Sequence, residues 1–592
     1  MQTVPFIPDN APFSPEQKVW LNGYLAGLFA ASPTSTPSPA RAEAPSLPLL
    51  VLFGSQTGTA QGIAKRLAKE ANTCGCAARA VDASAHSSID WKKETNLFIV
   101  TSTYGDGDMP DNAQDFWNWL QTEAGQSLAH INFAVLALGD RNYPEFCAAG
   151  RKIDDRLEQI GAKRLHPRTD CDVDYEAPSG AWIQGALKAL TNAAPKKTPG
   201  VENGVAATTE AVAEQADTNA LRFSKNNPFP ARLLINRRLN VDGSGKETRH
   251  LEFSLEGSGL TYEAGDAFGI FPVNCPLLVE ELLKTLGCDG EEAVACPSGG
   301  EIPLRKALGE CYDIAKPGLE LLKRLAEHSA ELKALLAPGR EADLKTWLHG
   351  RDIIDILSLV KGVQLPLPEF MPCLRKLAPR LYSISSSPKA HTGQVHLTTN
   401  VLRYEAHGRA RKGVCSTFLA ERAGHQPAVP GFVQSSPGFR LPEHDMPIIM
   451  VGPGTGIAPF RSFLHERLAA GARGRNWLFF GEQHAATDFY YRDELAQMLS
   501  DGHLTRLSTA FSRDQSEKIY VQHRMLEHAE ELWAWLQDGA HFYVCGDAAR
   551  MAKDVDLALR TVAEKAGGMN SEGADHFIKE LKNQKRYKRD VY

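Results

Sequence analysis

The sequence lacks C-x-x-C, C-x-x-C-H, a ferredoxin-like cysteine cluster and H-E-x-x-H. Iron–sulfur ligation, covalent haem attachment and zinc-peptidase chemistry therefore have no motif behind them, and no metal site is expected. It also lacks any apolar run near the ~18 residues of a membrane span. Its first residues show no basic stretch followed by an apolar core and a small-residue cleavage site, so a cytoplasmic protein without membrane contact is the expectation. Neither charge sign is in excess: 65 basic against 71 acidic residues leave a formal −6, too weak a field to gather nucleic acid. The eleven cysteines are odd in number and scattered, a poor disulfide framework that predicts reduced thiols.

What is present is globular text, 43% hydrophobic and 23% charged over 592 residues, too long for one core and suited to roughly four units. Leu21, Tyr24, Leu25, Leu28 and Phe29 fall at i, i+3, i+4, i+7, i+8 within 16–31, one apolar stripe on a helix. A Pro/Ser-rich tether follows, so residues 1–47 are expected either to dock a partner or oligomerise, or to fold back on the chain. From 48 to 192, apolar runs (LPLLVLFG, NLFIVTSTYG, FAVLALGD) alternate with helical stretches, predicting a doubly wound parallel sheet with its ligand at the carboxyl ends of the strands. Residues 193–220 contain no aromatic, Leu or Ile and read as a flexible linker. Residues 221–445 alternate as antiparallel barrel strands around a leucine-rich helical insertion at about 276–370, and 446–592 return to an open α/β sheet.

Three strand ends of the first sheet carry loops. Ser55, Gln56, Thr57, Gly58, Thr59 and Ala60 offer hydroxyls and backbone N–H groups at a helix start, a cage for a phosphate. Ser102, Thr103, Tyr104 and Gly105, and then Leu138, Gly139, Asp140, Arg141, Asn142 and Tyr143, add glycine for close approach and tyrosine for flat stacking. Together they describe a flavin mononucleotide pocket. Asp106, Asp108, Asp111 and Asp115 crowd the same rim, either steering a cationic acceptor or simply starting a solvated helix.

The barrel ends in Arg380, Leu381, Tyr382 and Ser383, where a guanidinium fork suits a pyrophosphate, an aromatic face a ring, and a small hydroxyl close approach. Gly413, Val414, Cys415 and Ser416 precede a helical stretch, again suiting a diphosphate. In the last unit Gly454, Thr455 and Gly456 follow the strand PIIMV and open a helix, so bare backbone can meet a dinucleotide. Ser512, Arg513, Lys518, Ile519, Tyr520, Val521 and Gln522 supply cations and hydroxyls for a further phosphate monoester, which selects NADPH over NADH. Gly243, Ser244, Gly245 and Lys246 imitate a P-loop fragment but lack its first glycine, its final Ser/Thr and its strand-to-helix setting, and are read as a hairpin turn.

On these motifs the first unit resembles the flavodoxin-like domain of diflavin reductases, and the barrel and last sheet resemble ferredoxin–NADP reductases. PEQKVWLNGYLAGLF, GRARKGVCSTFLAER, NWLFFGEQH, SRDQSEKIYVQ and RYKRDVY make the chain similar to the flavoprotein subunits of NADPH-sulfite reductases. One position departs, Tyr104 standing where many of that family have glutamine. The resemblance implies further FMN contacts at Pro144, Glu145, Phe146 and Cys147, further FAD contacts at Thr398, Thr399, Asn400 and Tyr404, and a further NADPH contact at Asp554. It also implies that Ser383, Cys545 and Asp590 surround the nicotinamide, and that Tyr592 stacks on the FAD ring and yields to nicotinamide.

The expected function is electron transfer from NADPH through FAD and FMN to the sirohaem-bearing hemoprotein of sulfite reductase, with a homo-oligomer formed through the amino-terminal region. Alternatives are a soluble diflavin reductase serving another haem protein, flavodoxin or nitrogen-oxide reductase, and a flavin-binding scaffold without turnover.

Overall fold

The computed structural model describes residues 47–193 and 223–592, except 56–57, 105–106, 140, 142–144, 173–174, 298 and 361–364. The expected amino-terminal helix, its tether and most of the linker lie outside the described residues, as do Gln56, Thr57, Gly105, Asp106, Asp140, Asn142, Tyr143 and Pro144.

The first unit runs β1 (Leu47–Gly54), α1 (Thr59–Thr73), β2 (Cys76–Asp82), β3 (Asn96–Ser102), α2 (Asp111–Leu120), β4 (Asn132–Leu138), α3 (Ala148–Gln159), β5 (Lys163–Arg164), β6 (Thr169–Cys171) and α4 (Glu176–Ala193). Its strands are all parallel in the order β2-β1-β3-β4-β5, with β6 continuing beside β4. Helices cover both faces, which is why β1, β3 and β4 read as unbroken apolar runs rather than alternating ones. Ile63, Leu67 and Trp182 pack on one face, and Phe116, Ile153 and Leu157 on the other.

The second unit contains β7 (Phe229–Ala231), β8 (Leu233–Arg238), β9 (Thr248–Ser254), β10 (Ala267–Ile270), β11 (Arg380–Ser383), β12 (Gln394–Asn400) and β13 (Val429–Gln434). They form two antiparallel sheets, β11-β10-β13-β7 and β12-β9-β8, closed over a core of Phe253, Phe268, Ile384, Leu397 and Phe418. The insertion after β10 is helical, from Pro276–Leu286 to Leu367–Phe370, and its leucines build a core of their own. It is tied to the barrel by charge: Arg411, on the hairpin after β12, donates to Asp352 at 2.6 Å, and Arg409 bonds both Asp352 and Asp355.

The third unit runs β14 (Ile448–Val451), α5 (Ile457–Ala469), β15 (Asn476–Glu482), β16 (Arg506–Phe511), α6 (Val521–Glu527), β17 (His541–Gly546), α7 (Met551–Lys565), α8 (Ser571–Asn583) and β18 (Tyr587–Val591). Its parallel sheet has the order β16-β15-β14-β17-β18. The order reverses at β14, so a crevice opens beside its carboxyl end, where the Gly454–Gly456 turn sits. Among the described residues no helix is long and apolar enough to cross a membrane.

Candidate active site

Two of the loops expected to bind phosphate take the conformation their glycines permit. Gly58 is left-handed (φ 90°) and its N–H donates to Ser55 Oγ at 3.0 Å, so the loop folds on itself ahead of α1. Gly454 is left-handed as well (φ 60°). At Gly456 a Cβ would lie 2.1 Å from the carbonyl oxygen of Cys545, so this turn reaches β17 only because the residue is glycine.

Around the first sheet, Thr103 N donates to Leu138 O at 2.9 Å and joins two of the loops. Cys147 is buried at φ 56°, its thiol turned to Cys171 O and held protonated by burial. Arg141 lies over the Phe146 ring, and its carbonyl accepts from Arg375 of the second unit at 2.9 Å. Tyr104 has its hydroxyl buried without a partner among the described residues, and the Arg589 guanidinium lies over its ring at 5.7 Å.

In the barrel, Tyr382 is turned toward Cys415, whose thiol is pushed up to about 12 by burial. Leu381 is exposed. Arg380 bonds Ala378 O and faces Asp313. Ser416 Oγ accepts from Leu402 N beside Gly413. Thr398 is engaged elsewhere, its hydroxyl 2.6 Å from Tyr491 Oη, whereas the next hydroxyl, Thr399 Oγ1, is buried and has no partner among the described residues. Tyr404 is on an exposed hairpin beside His349.

The residues expected around the nicotinamide converge from three distant segments. Ser383 Oγ donates to Asp590 Oδ2 at 2.7 Å, and Cys545 Sγ donates to the same oxygen at 3.8 Å. Cys545 and Asp590 face each other across β17 and β18. Loss of water raises the Asp590 carboxyl above its ordinary value, while the two donors pull it back; Cys545, fully buried, stays a thiol. Thr455 Oγ1 and Tyr592 Oη share a hydrogen bond of 3.0 Å, leaving the Tyr592 ring 56% exposed. At the outer edge, Gln522 Nε2 donates to Asp554 Oδ2 at 3.1 Å, while Arg513 and Lys518 are exposed with no carboxylate partner among the described residues. Ser512 is fixed by its backbone to Glu482 O.

Three family models match consecutive parts of the chain: flavodoxin over 51–182, an FAD binding domain over 221–418 and an oxidoreductase NAD-binding domain over 450–556. The chain is 47% identical over 588 residues to the sulfite reductase (NADPH) flavoprotein alpha-component of Bacillus subtilis, covering 97% of this chain and 95% of that one. It is 43% identical to the protein of that name from Vibrio cholerae El Tor (98% and 93% covered) and 41% identical to that of Aliivibrio fischeri (98% and 95%). The chain belongs to the sulfite reductase flavoprotein family.

Members of this family are flavoprotein oxidoreductases, and FMN, FAD and NADPH are the cofactors of this one. The residues present fit those groups. Buried hydroxyls of Tyr104 and Thr399 have no partner among the described residues, Gly454 and Gly456 leave bare backbone at the turn after β14, and the donors are hydroxyls, backbone N–H and guanidinium groups. Two features of the family site escaped the sequence. Asp111 and Asp115 are paired with Arg589 and Lys579 of the third unit, although nothing periodic marks those partners. The Gly243–Lys246 turn does connect β8 to β9 as a hairpin, but its Lys246 reaches the third unit and meets Glu482.

Proposed function

We propose that the chain is the NADPH-oxidising, electron-distributing subunit of an assimilatory sulfite reductase, handing electrons to a sirohaem hemoprotein. The single observation carrying this reading is the Ser383–Asp590–Cys545 cluster beside the Thr455–Tyr592 pair. When bound, FAD accepts the two electrons of NADPH as hydride and FMN releases them singly, the conversion that a haem acceptor requires.

The chain's residues have definable tasks in this scheme. Asp590, held by Ser383, would place a carboxylate where positive charge develops on a nicotinamide as hydride leaves. Cys545 stays protonated, so it donates to Asp590 without adding a second negative charge. Tyr592 would cover the position by stacking and swing aside for nicotinamide, its one side-chain hydrogen bond among the described residues being that to Thr455. Arg513, Lys518 and Ser512 hold the 2′-phosphate, Asp554 positions Gln522 beside them, and Gly454–Gly456 approach the pyrophosphate. The loops from Ser55 to Ala60, Ser102 to Gly105 and Leu138 to Cys147 hold FMN. Arg380–Ser383, Thr398–Asn400, Tyr404 and Gly413–Ser416 hold FAD.

The domain limits belong to the same proposal: 1–47 for assembly, 48–192 for FMN, 193–220 as linker, 221–445 for FAD with the insertion at 276–370, and 446–592 for NADPH. So do a homo-oligomer formed through the amino-terminal region and a cytoplasmic location. The test is reconstitution. The purified flavoprotein should contain equimolar FMN and FAD, and should oxidise NADPH with sulfite only after a sulfite reductase hemoprotein is added. Sulfite-dependent turnover that never requires the hemoprotein, or a single flavin type, would refute the reading.

A further inference from the structure

All eleven cysteines are reduced, yet two of them meet. In the helical insertion Cys296 Sγ lies 3.7 Å from Cys311 Sγ, 15 positions along the chain. The two thiols come from different elements. Cys296 follows the strand Ala293–Ala295, which pairs with Glu301–Pro303 as a hairpin, and Cys311 caps the next helix, Leu304–Glu310.

The Cys311 side is fixed. Its N–H donates to Ala307 O at 2.9 Å, its carbonyl accepts from Leu377 N at 2.8 Å, and the hydroxyl of the following Tyr312 donates to Ala295 O at 3.0 Å. The Cys296 side has room. Its N–H donates to Gly300 O at 2.9 Å across the hairpin turn, where Gly299 and Gly300 are left-handed and a Cβ on either would meet open space. A disulfide holds its sulfurs at about 2.05 Å, so the pair has about 1.7 Å to close. Side-chain rotation and a small movement of the turn supply that distance. Both thiols are half-buried rather than sealed. Burial pushes Cys311 up to about 12, with the neighbouring sulfur adding to the rise, which leaves Cys296, at the turn, as the sulfur attacked first.

We propose that Cys296 and Cys311 form a reversible oxidation site, at which hydrogen peroxide joins them by a disulfide that staples the hairpin to the segment carrying Asp313. Reduced flavin supplies the oxidant when it loses its two electrons to dioxygen. Peroxide converts the Cys296 thiol to a sulfenic acid and releases one water. The Cys311 sulfur then displaces the hydroxyl, its own proton leaving with it as a second water, so two thiols are oxidised as one peroxide is reduced. Closure keeps either sulfur from going on to sulfinic acid, and a dithiol reductant restores both thiols. The stapled segment is shared by the flavin units: Asp313, 2% exposed, faces Arg375 and Arg380 at 3.9 Å each, and Arg375 donates to Arg141 O of the FMN-binding unit.

The test is peptide mapping of the flavin-loaded protein, treated with a few equivalents of hydrogen peroxide, alkylated with N-ethylmaleimide in denaturant and digested. Peptides linked through Cys296 and Cys311 should dominate the oxidised material and vanish after dithiothreitol. Thermal release of FAD should move up by about 5–10 °C in the linked form, the scale for a closed loop of this length, and return on reduction. C296S and C311S should bind FAD normally and show no such shift. They also separate the two sulfurs: dimedone should trap a sulfenic acid at Cys296 in C311S and little at Cys311 in C296S. Full alkylation of both thiols after peroxide, or sulfinic acid at either without the link, would overturn the proposal and leave a packing contact. Linked peptides with unchanged FAD release would overturn the stapling role.

Discussion

Arg589 of β18 donates through Nε to Asp111 Oδ2 at 3.0 Å, pairing the last strand of the NADPH-binding unit with the first turn of α2 in the FMN-binding unit. Lys579 and Asp115 repeat the pairing one turn further along α2 at 2.7 Å. Two of the four rim acids that a cationic acceptor would seek are therefore engaged by the chain's own cations, and an acceptor that uses them has to compete.

Replacing both partners of the first pair, as D111N/R589L, should weaken the docking of the FMN unit. Arg589 is 14% and Asp111 30% exposed, so the pair lies between surface and buried cases and its loss should shift the equilibrium by about 1–2 kcal/mol. Small-angle scattering should show a larger radius of gyration, and reduction of an external one-electron acceptor should lose part of its dependence on salt.

Asp590→Asn should lower kcat by about 10–100-fold, as expected when a preorganised charge is removed from a transition state. The pH profile offers a sharper check. Asp590 has its carboxyl raised by loss of water, so the acid limb of the unaltered enzyme should lie above the ordinary carboxylate range and vanish in the variant. Stability should move the other way. A carboxyl with a raised folded-state pKa favours folding below its unfolded value and loses that contribution as pH rises through the folded one; the uncharged amide should therefore melt slightly higher at neutral pH.

Arg513→Ala should raise KM for NADPH about 10–100-fold by removing charge-assisted bonds to the 2′-phosphate, and barely alter KM for NADH. Equal losses for the two would place Arg513 elsewhere on the dinucleotide.

Arg411→Leu should destabilise the FAD-binding unit by about 3 kcal/mol, because Asp352, whose side chain is 6% exposed, loses a partner at 2.6 Å. Denaturant-induced release of FAD reports the effect. A compensating D352N should recover part of the loss.

The sequence reveals most where chemistry is local. LPLLVLFG, the LFIV of NLFIVTS and PIIMV are apolar because both faces of their sheets are covered, and each strand ends at the loop it was expected to present. Arg380–Ser383 and Gly454–Gly456 likewise stand out by residue type and spacing, at a strand and at a turn where the structure places them. The Ser383–Asp590 bond spans 207 residues of chain, and only likeness to known families pointed to it. Lys246 was hidden for the same reason: a hairpin turn is recognisable from Gly243 and Gly245, but which neighbouring unit it reaches depends on contacts with Thr487 and Asp488 more than 240 residues away. Asp111 and Asp115 read equally well as a solvated helix start, because the cations that meet them lie in another unit.

Strand β18 presents Arg589 toward Asp111 and its neighbour Asp590 toward Ser383. Side chains of a strand alternate, so slippage by a single position against β17, as a shortened turn would force, would put Asp590 in the place of Arg589 and Val591 in the place of Asp590. An acid would then face the acids of α2 and Ser383 would lose its carboxylate partner, upsetting both junctions together. Shortening the turn before Tyr587 by one residue would thus be a far harsher lesion than most substitutions nearby, and fidelity of pairing along this short edge strand guards the entry and the exit of the electron route at once.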